Sequence, residues 1–327
     1  MAEHQHVPVL VGSVLELLAP TRPGLVGGGV WVDATVGLGG HAAALLEAAP
    51  LARVVGIDRD PQALALAVRR LAPFGPRVRL VRGCFTTLGR QLGELGLARV
   101  DGILADLGVS SMQLEVAQRG FAFRACGPLD MRMGRDLDGE ADTAQTITAA
   151  TIVNHETEDA LAKIFRENAE ERHARRIARG IVEARQAAPI ETTTQLASLV
   201  ERLKPERGKP SRYTTPRRHP ATQVFQALRV AVNQELDELD ALIDQAADLL
   251  QPGGRLAVIS YHSLEDRAVK IGLRDLATGA IDPVTGRPLA ETRVIEVLTK
   301  KPVRPSTEEV SRNPRARSAR LRAGRRL

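Results

Sequence analysis

Three acids stand at or near the ends of short apolar runs in the first third of the chain: Asp33 within Val30 to Ala34, Asp58 after Arg53 to Ile57, and Asp106 after Val100 to Ala105. Beside the first lies Asp33-Ala34-Thr35-Val36-Gly37-Leu38-Gly39-Gly40-His41, which puts glycines where a strand would turn into a helix and lets a ligand approach the backbone. Gly37, Gly39 and Ala42 satisfy G-x-G-x-x-A, a spacing that also fits a dinucleotide site with Asp58, 21 residues after Gly37, on a ribose hydroxyl. Asp33 tilts the balance. It would repel a pyrophosphate, whereas S-adenosylmethionine carries a sulfonium and an ammonium that an anionic rim favours. On this reading Asp58 takes the ribose hydroxyls, Phe85 lies against the adenine, and Asp106 meets the substrate. The bland alternative is that Asp33 and Asp58 cap helices and Phe85 is core.

Positioning those groups requires a parallel sheet, and the first hundred residues alternate short apolar runs with helical patterns as βαβ units do. Strands are expected at Val30 to Ala34, Arg53 to Ile57, Val78 to Val81 and Val100 to Ala105. Helices are expected at His41 to Ala49 and Pro61 to Leu71, the second with Asp60 as N-cap and Pro61 at its first position. After Asp106 the alternation stops. From about Asp136 to Lys204 the pattern is helical, with Ala174, Ile177, Ala178 and Ile181 on one face, which reads as an inserted helical subdomain. A basic, proline-rich stretch to Pro220 leads into an amphipathic helix striped by Phe225, Leu228, Val232, Leu236, Leu239 and Ile243. That helix should end in the Pro252-Gly253-Gly254 turn, and Leu256 to Ser260 should be a further buried strand.

Composition narrows the class. With 43% hydrophobic residues but only nine aromatics among 327, the core must be Ala, Leu and Val, which suits helices and buried strands. Cys84 and Cys126 form no CxxC or Cys/His cluster, so neither a disulfide framework nor a zinc site is expected, and a reduced cytoplasmic compartment fits. No apolar stretch approaches the ~18 residues of a membrane span. The formal charge of +6 is compatible with a polyanionic partner, and its distribution says more. Arg312 to Leu327 hold seven arginines and no acid, and Lys204 to Arg218 hold six bases against one acid. These could track a nucleic-acid backbone; the alternative is a solvated or frayed tail.

Several strings are not explained by packing periodicity: Asp106-Leu107-Gly108-Val109-Ser110-Ser111-Met112-Gln113, Arg119-Gly120-Phe121, Gly127-Pro128-Leu129-Asp130-Met131-Arg132-Met133, Arg218-His219-Pro220-Ala221-Thr222, Ser260-Tyr261-His262-Ser263-Leu264-Glu265-Asp266-Arg267 and Asn313-Pro314-Arg315-Ala316-Arg317-Ser318. Together with His6-Val7-Pro8-Val9-Leu10 and the glycine turn, they resemble the bacterial small-subunit ribosomal RNA cytosine-N4 methyltransferases, the RsmH (MraW) family, almost end to end.

The resemblance implies an α/β fold, a Rossmann-like doubly wound class I S-adenosylmethionine methyltransferase sheet formed by residues 1–113 and 218–327, with residues 114–217 as an inserted, mainly helical substrate-recognition subdomain. It implies transfer of a methyl group from S-adenosylmethionine to the N4 amine of a decoding-region cytosine of 16S rRNA within the small ribosomal subunit. No membrane is involved, and a homodimer is left open. The family's cofactor contacts fall on Gly39, Gly40, His41, Asp58, Phe85, Asp106 and Gln113, beside Asp33 and Gly37 read from the residues themselves. The exocyclic amine is a poor nucleophile, so in-line positioning matters most, and a carboxylate could accept its proton. Asp106 and Asp130 are candidates. His262 could hold the base or shuttle a proton, or simply satisfy the next helix. Arg132, Arg218, His219, Arg315 and Arg317 are candidate RNA contacts, against local ion pairing. Three positions depart from the family pattern: Cys84 for Asn, Gln223 for Arg after His-Pro-Ala-Thr, and Gly134 for an acid.

Overall fold

The computed structural model describes residues 7–19, 28–134, 147–204 and 219–327. It divides into two compact units, one of residues Met1–Gly108 with Leu236–Leu327 and the other of Val109–Glu235. Their junctions lie at Gly108 and Glu235, so the short helix holding Gln113 and the helix Thr222–Asn233 belong to the second unit.

The first unit is built on a sheet of seven strands: β1 (Val30–Asp33), β2 (Arg53–Asp58), β3 (Val78–Arg82), β4 (Val100–Asp106), β5 (Leu250–Ser260), β6 (Ile295–Val297) and β7 (Arg320–Arg326), in the order β3-β2-β1-β4-β5-β7-β6. Strands β1 to β5 run parallel, and β7 is antiparallel to both its neighbours. This is a doubly wound arrangement whose order reverses between β1 and β4. Alternate residues face opposite layers, as strand geometry requires. Trp31, Val54, Leu104 and Ile259 join Leu45, Leu46 and Leu71 from the helices Gly40–Ala48 and Pro61–Leu71. Val32, Val55, Ile103 and Val258 join Leu88, Leu92, Leu239, Leu242 and Val269 on the other side. Asp60 caps Pro61–Leu71 through the Gln62 N–H, as its position before Pro61 predicts.

One expectation needs correction. The stripe from Phe225 to Ile243 is two helices, Thr222–Asn233 and Glu235–Leu249. Gln234, at φ 52° and ψ 39°, is left-handed, and its N–H closes the first helix on Val230 and Ala231. Phe225, Leu228 and Val232 therefore enter the second unit's core, whereas Leu239 and Ile243 enter the first's. At the arginine-rich end the alternative of a frayed tail is excluded for Arg320–Arg326, which is β7, hydrogen-bonded on both sides. Arg322 pairs with Asp266 at 2.6 Å and Arg325 pairs with Glu296.

The second unit is helical around one core. Phe165, Ile177, Ile181, Leu196, Val200 and Leu228 are buried together from the helices Glu158–Ala169, Ala174–Ala187, Thr193–Leu203 and Thr222–Asn233. No described helix is long and apolar enough to cross a membrane.

Candidate functional site

In a doubly wound sheet, ligands sit beyond the carboxyl ends of the strands where the order reverses, here between β1 and β4. Asp33 and Asp106 end those two strands, and Asp58 ends β2. The turn between β1 and the helix Gly40–Ala48 holds Gly37 and Gly39 at φ 50° and 77°, where a Cβ is unfavourable. A Cβ on Gly39 would come within 3.0 Å of Leu71 Cγ, and one on Gly40 within 3.1 Å of Pro8 Cγ. The Gly37 N–H donates to Asp58 Oδ2 at 2.9 Å and the Asp60 N–H to Oδ1 at 2.9 Å, so Asp58 is fixed while each oxygen retains a lone pair. Across the point of reversal, the Asp106 N–H donates to Thr35 Oγ1 at 2.6 Å, and the Thr35 N–H donates to Asp33 Oδ1 at 3.3 Å.

These acids are held against their preference. Burial pushes Asp33 and Asp58 up to about 6, and the neighbouring carboxylates Asp106 and Asp58 add repulsion at Asp33. Burial raises Asp106 too, opposed by His41 and by the Tyr261 hydroxyl, which donates to Asp106 Oδ1 at 2.8 Å. His41 Nδ1 stands 3.7 Å from Asp106 Oδ2, and its Nε2 is 2.8 Å from the Val9 carbonyl oxygen. Such a group of desolvated, under-neutralised acids suits a cation that also carries hydroxyls.

The MraW methylase family profile matches residues 3–327. The chain belongs to the MraW methylase family. A ribosomal RNA small subunit methyltransferase H from Nitratidesulfovibrio vulgaris (strain Miyazaki F) is 50% identical over 325 residues, 98% of this chain and 86% of that one. One from Cyanothece sp. (strain PCC 7425) is 50% identical over 325 residues, 99% and 96% of the two chains. Among solved structures the likeness is distant: an rRNA methylase from Streptococcus thermophilus is 12% identical, with 97% and 93% coverage and a TM-score of 0.40.

S-adenosylmethionine is the family's cofactor, and the donor set fits it: carboxylates that would face its positive groups, lone pairs on Asp58 that would accept from its ribose, and a glycine turn that would admit it closely. Phe85 opens the short turn after β3, with its carbonyl accepting from Gln245 Nε2 at 2.7 Å. Glu238 ties this loop to the one after β2, accepting from the Thr86 N–H at 3.0 Å and lying 3.5 Å from Arg59.

Other candidates of the MraW pattern stand elsewhere. His262 caps the helix Ser263–Thr278: Nδ1 accepts from the Glu265 N–H at 3.4 Å, and Nε2 is 3.0 Å from Glu265 Oε1. Within the second unit, buried Gln113 forms a capping box with Ser110, whose N–H donates to Gln113 Oε1 at 2.9 Å. Asp130 is grasped by Arg132 through Nε at 2.9 Å and Nη2 at 2.8 Å, so each occupies the other. Their loop is held by Asn233, which accepts from the Met133 N–H at 2.9 Å and donates to the Met131 carbonyl at 2.8 Å. The ring of His219 lies 4.5 Å from that of Phe123. Arg218 lies outside the described residues. Arg315 and Arg317 are exposed on the turn Pro314–Ser318 of the first unit.

Sequence reasoning quoted Thr35 and Tyr261 inside strings without giving either a role, and it missed Glu238 and Glu309. The Glu309 carboxylate accepts the Leu10 N–H at 2.6 Å, and Asn313 Nδ2 donates to the Val7 carbonyl at 3.0 Å. The first and last of the recognised strings thus meet, and they fix the carbonyl that His41 faces. Contacts some 300 residues apart leave no periodic or local signal.

Proposed function

We propose that this protein transfers a methyl group from S-adenosylmethionine to the N4 amine of a decoding-region cytosine of 16S rRNA in the small ribosomal subunit. The rRNA substrate class rests on relatives 50% identical over nearly the whole chain and named for that activity. With a ribosomal substrate, the enzyme would work in the cytoplasm. The observation that carries the amine chemistry is Asp106, a half-buried carboxyl at the rim of β4 that desolvation makes a stronger base than an exposed aspartate.

When bound, the cofactor supplies an electrophilic methyl group. The protein's part is to hold the amine in line and to take its proton. Cytosine N4 delocalises its lone pair into the ring, and a carboxylate accepting one of its N–H bonds draws that lone pair back towards the nitrogen. Asp106 is the proposed acceptor, because it lies beside the glycine turn while Asp130 is engaged by Arg132 and both ring nitrogens of His262 face Glu265. Asp33, Gly37, Gly39, Gly40, His41, Asp58, Phe85 and Gln113 are proposed to hold the cofactor, and His219, Arg315 and Arg317 to meet RNA. A stacked cytosine must leave its stack to reach such a site.

The test is transfer of labelled methyl from S-adenosylmethionine to small subunits from a strain lacking the gene, with mass mapping of 16S rRNA. Label on N4 of one decoding-region cytosine is expected. Label on a ring carbon, a ribose or another nucleotide would overturn the assignment.

A further inference from the structure

Hydrogen-bond polarity at Asp106 fixes more than a single base. The Val9 carbonyl can only accept, so the ring nitrogen facing it, His41 Nε2, carries the hydrogen. In the neutral ring Nδ1 is then a bare lone pair, and it is Nδ1 that stands 3.7 Å from Asp106 Oδ2. The other oxygen, Oδ1, already accepts the Tyr261 hydroxyl at 2.8 Å. A carboxylate oxygen and an imidazole lone pair therefore face each other with no proton between them. Both partners are oriented from behind, His41 by Val9 and Asp106 by Tyr261.

We propose that Asp106 and His41 form a one-proton dyad that receives the proton released by the amine, with Tyr261 as its positioning residue. This rests on Asp106 as the amine-proton acceptor. Transfer forms the carbon–N4 bond and breaks the donor's carbon–sulfur bond, leaving a neutral thioether. The surplus N4 proton passes to Asp106 Oδ2, the oxygen not engaged by Tyr261, and on to His41 Nδ1. Carboxylate and neutral imidazole become carboxylate and imidazolium, and the imidazolium returns the proton to solvent. A separation of 3.7 Å is open for a hydrogen bond, and such contacts commonly tighten only with the reactants in place.

The ionisable groups around the pair are acids and a phenol. The groups that bear on Asp106 are His41 from the helix Gly40–Ala48, Tyr261 after β5 and Glu265 from the helix Ser263–Thr278, and Asp33 at the end of β1 interacts with it in turn. Glu309, from the helix Thr307–Arg312, bears on Tyr261. Of these groups His41 alone can become a cation. The strap from Val7 to Leu10, pinned by Glu309 and Asn313, keeps the Val9 carbonyl where it dictates the tautomer.

Two measurements on the full-length protein test this. The first is long-range proton–nitrogen correlation on protein labelled at histidine nitrogens, with the His41 signals assigned by their loss in His41→Gln. It should show neutral His41 as the Nε2–H tautomer; the Nδ1–H tautomer would overturn the proposal whatever the enzyme methylates. The second is single-turnover methyl transfer against pH at saturating cofactor and subunits. In Tyr261→Phe the carboxylate loses a donor, so the acidic limb should move up by about one unit in addition to any fall in the plateau. A uniform fall with an unmoved limb, or no change, would reduce Tyr261 to packing and overturn its part. In His41→Gln the plateau should fall by about tenfold or more even when the cofactor concentration is raised to saturate the variant, whatever the change in Kd; a plateau restored to wild type by more cofactor would overturn the dyad. Absence of transfer by the wild-type enzyme would instead count against the methyltransferase reading, and the tautomer measurement would still stand.

Discussion

The acids at the strand ends of the first unit are held differently from the acids of the second unit. Among the described residues of the second unit, Asp130 pairs with Arg132, Glu171 with Lys204 at 2.5 Å and half-buried Arg229 with Glu235 at 2.8 Å, while buried Arg119 donates to the Arg132 and Met133 carbonyls. Lys204 also donates to the Pro220 carbonyl at 2.6 Å, joining the two ends of the basic stretch between them. In the first unit Asp33, Asp58 and Asp106 crowd the strand ends with one histidine among them, and burial holds all three above the usual carboxylate range. Charge that a protein neutralises internally builds the fold. Charge that it leaves short of counterions is arranged for something that arrives.

The largest effect should come from breaking this contrast at Asp106. Asp106→Asn keeps the shape and an acceptor for Tyr261 but removes the base, so transfer to small subunits should fall about 10²- to 10⁴-fold. Thermal unfolding should stay level or move upwards, because an uncompensated buried acid has gone. A variant that unfolds earlier yet transfers normally would place Asp106 with the structural pairs. The mirror experiment is Lys204→Met, which strands the Glu171 carboxylate and should cost about 3–5 kcal/mol in denaturant unfolding. Lys204→Met with Glu171→Leu should recover most of that loss, and failure to recover would mean the pair does more than neutralise itself.

A smaller effect follows from the acids themselves. Asp33 and Asp58 are raised from 3.8 to about 6 in the folded protein, so between those values the native state binds more protons than the unfolded chain. Their contribution to stability is fully present below about 4 and is lost as pH rises through about 6. A cation bound beside them reverses the preference. S-adenosylmethionine should therefore bind more tightly, and raise Tm further, at pH 7.5 than at pH 5. Equal affinity at both would show that the acids are not facing the cofactor's charge.

Much of the first unit was legible, because parallel strands buried on both faces read as apolar runs and a glycine turn between strand and helix is local. Asp60 before Pro61 announced its own cap. What resisted was whatever depends on three dimensions. The stripe from Phe225 to Ile243 has unbroken helical spacing, and nothing local in it announces that Gln234 turns left-handed. The arginines of the last strand read as a basic tail because their partners Asp266 and Glu296 lie far back in the chain. Tyr261 was visible as a letter, but its role needed the carboxyl 155 residues away.

The smallest effect tests the contrast at an uncharged residue. Gln223 stands where the family pattern has arginine, which on sequence alone suggests a missing phosphate contact. Its side-chain amide instead donates to the Ala169 carbonyl at 3.0 Å, satisfying the end of the helix Glu158–Ala169. If the second unit spends its polar groups on itself, Gln223→Ala should cost about 0.5–1.5 kcal/mol of stability and leave subunit affinity and its salt dependence unchanged. Weaker, salt-sensitive binding at unchanged stability would put Gln223 on the RNA, and the inward-turned reading of that unit would fail at this position.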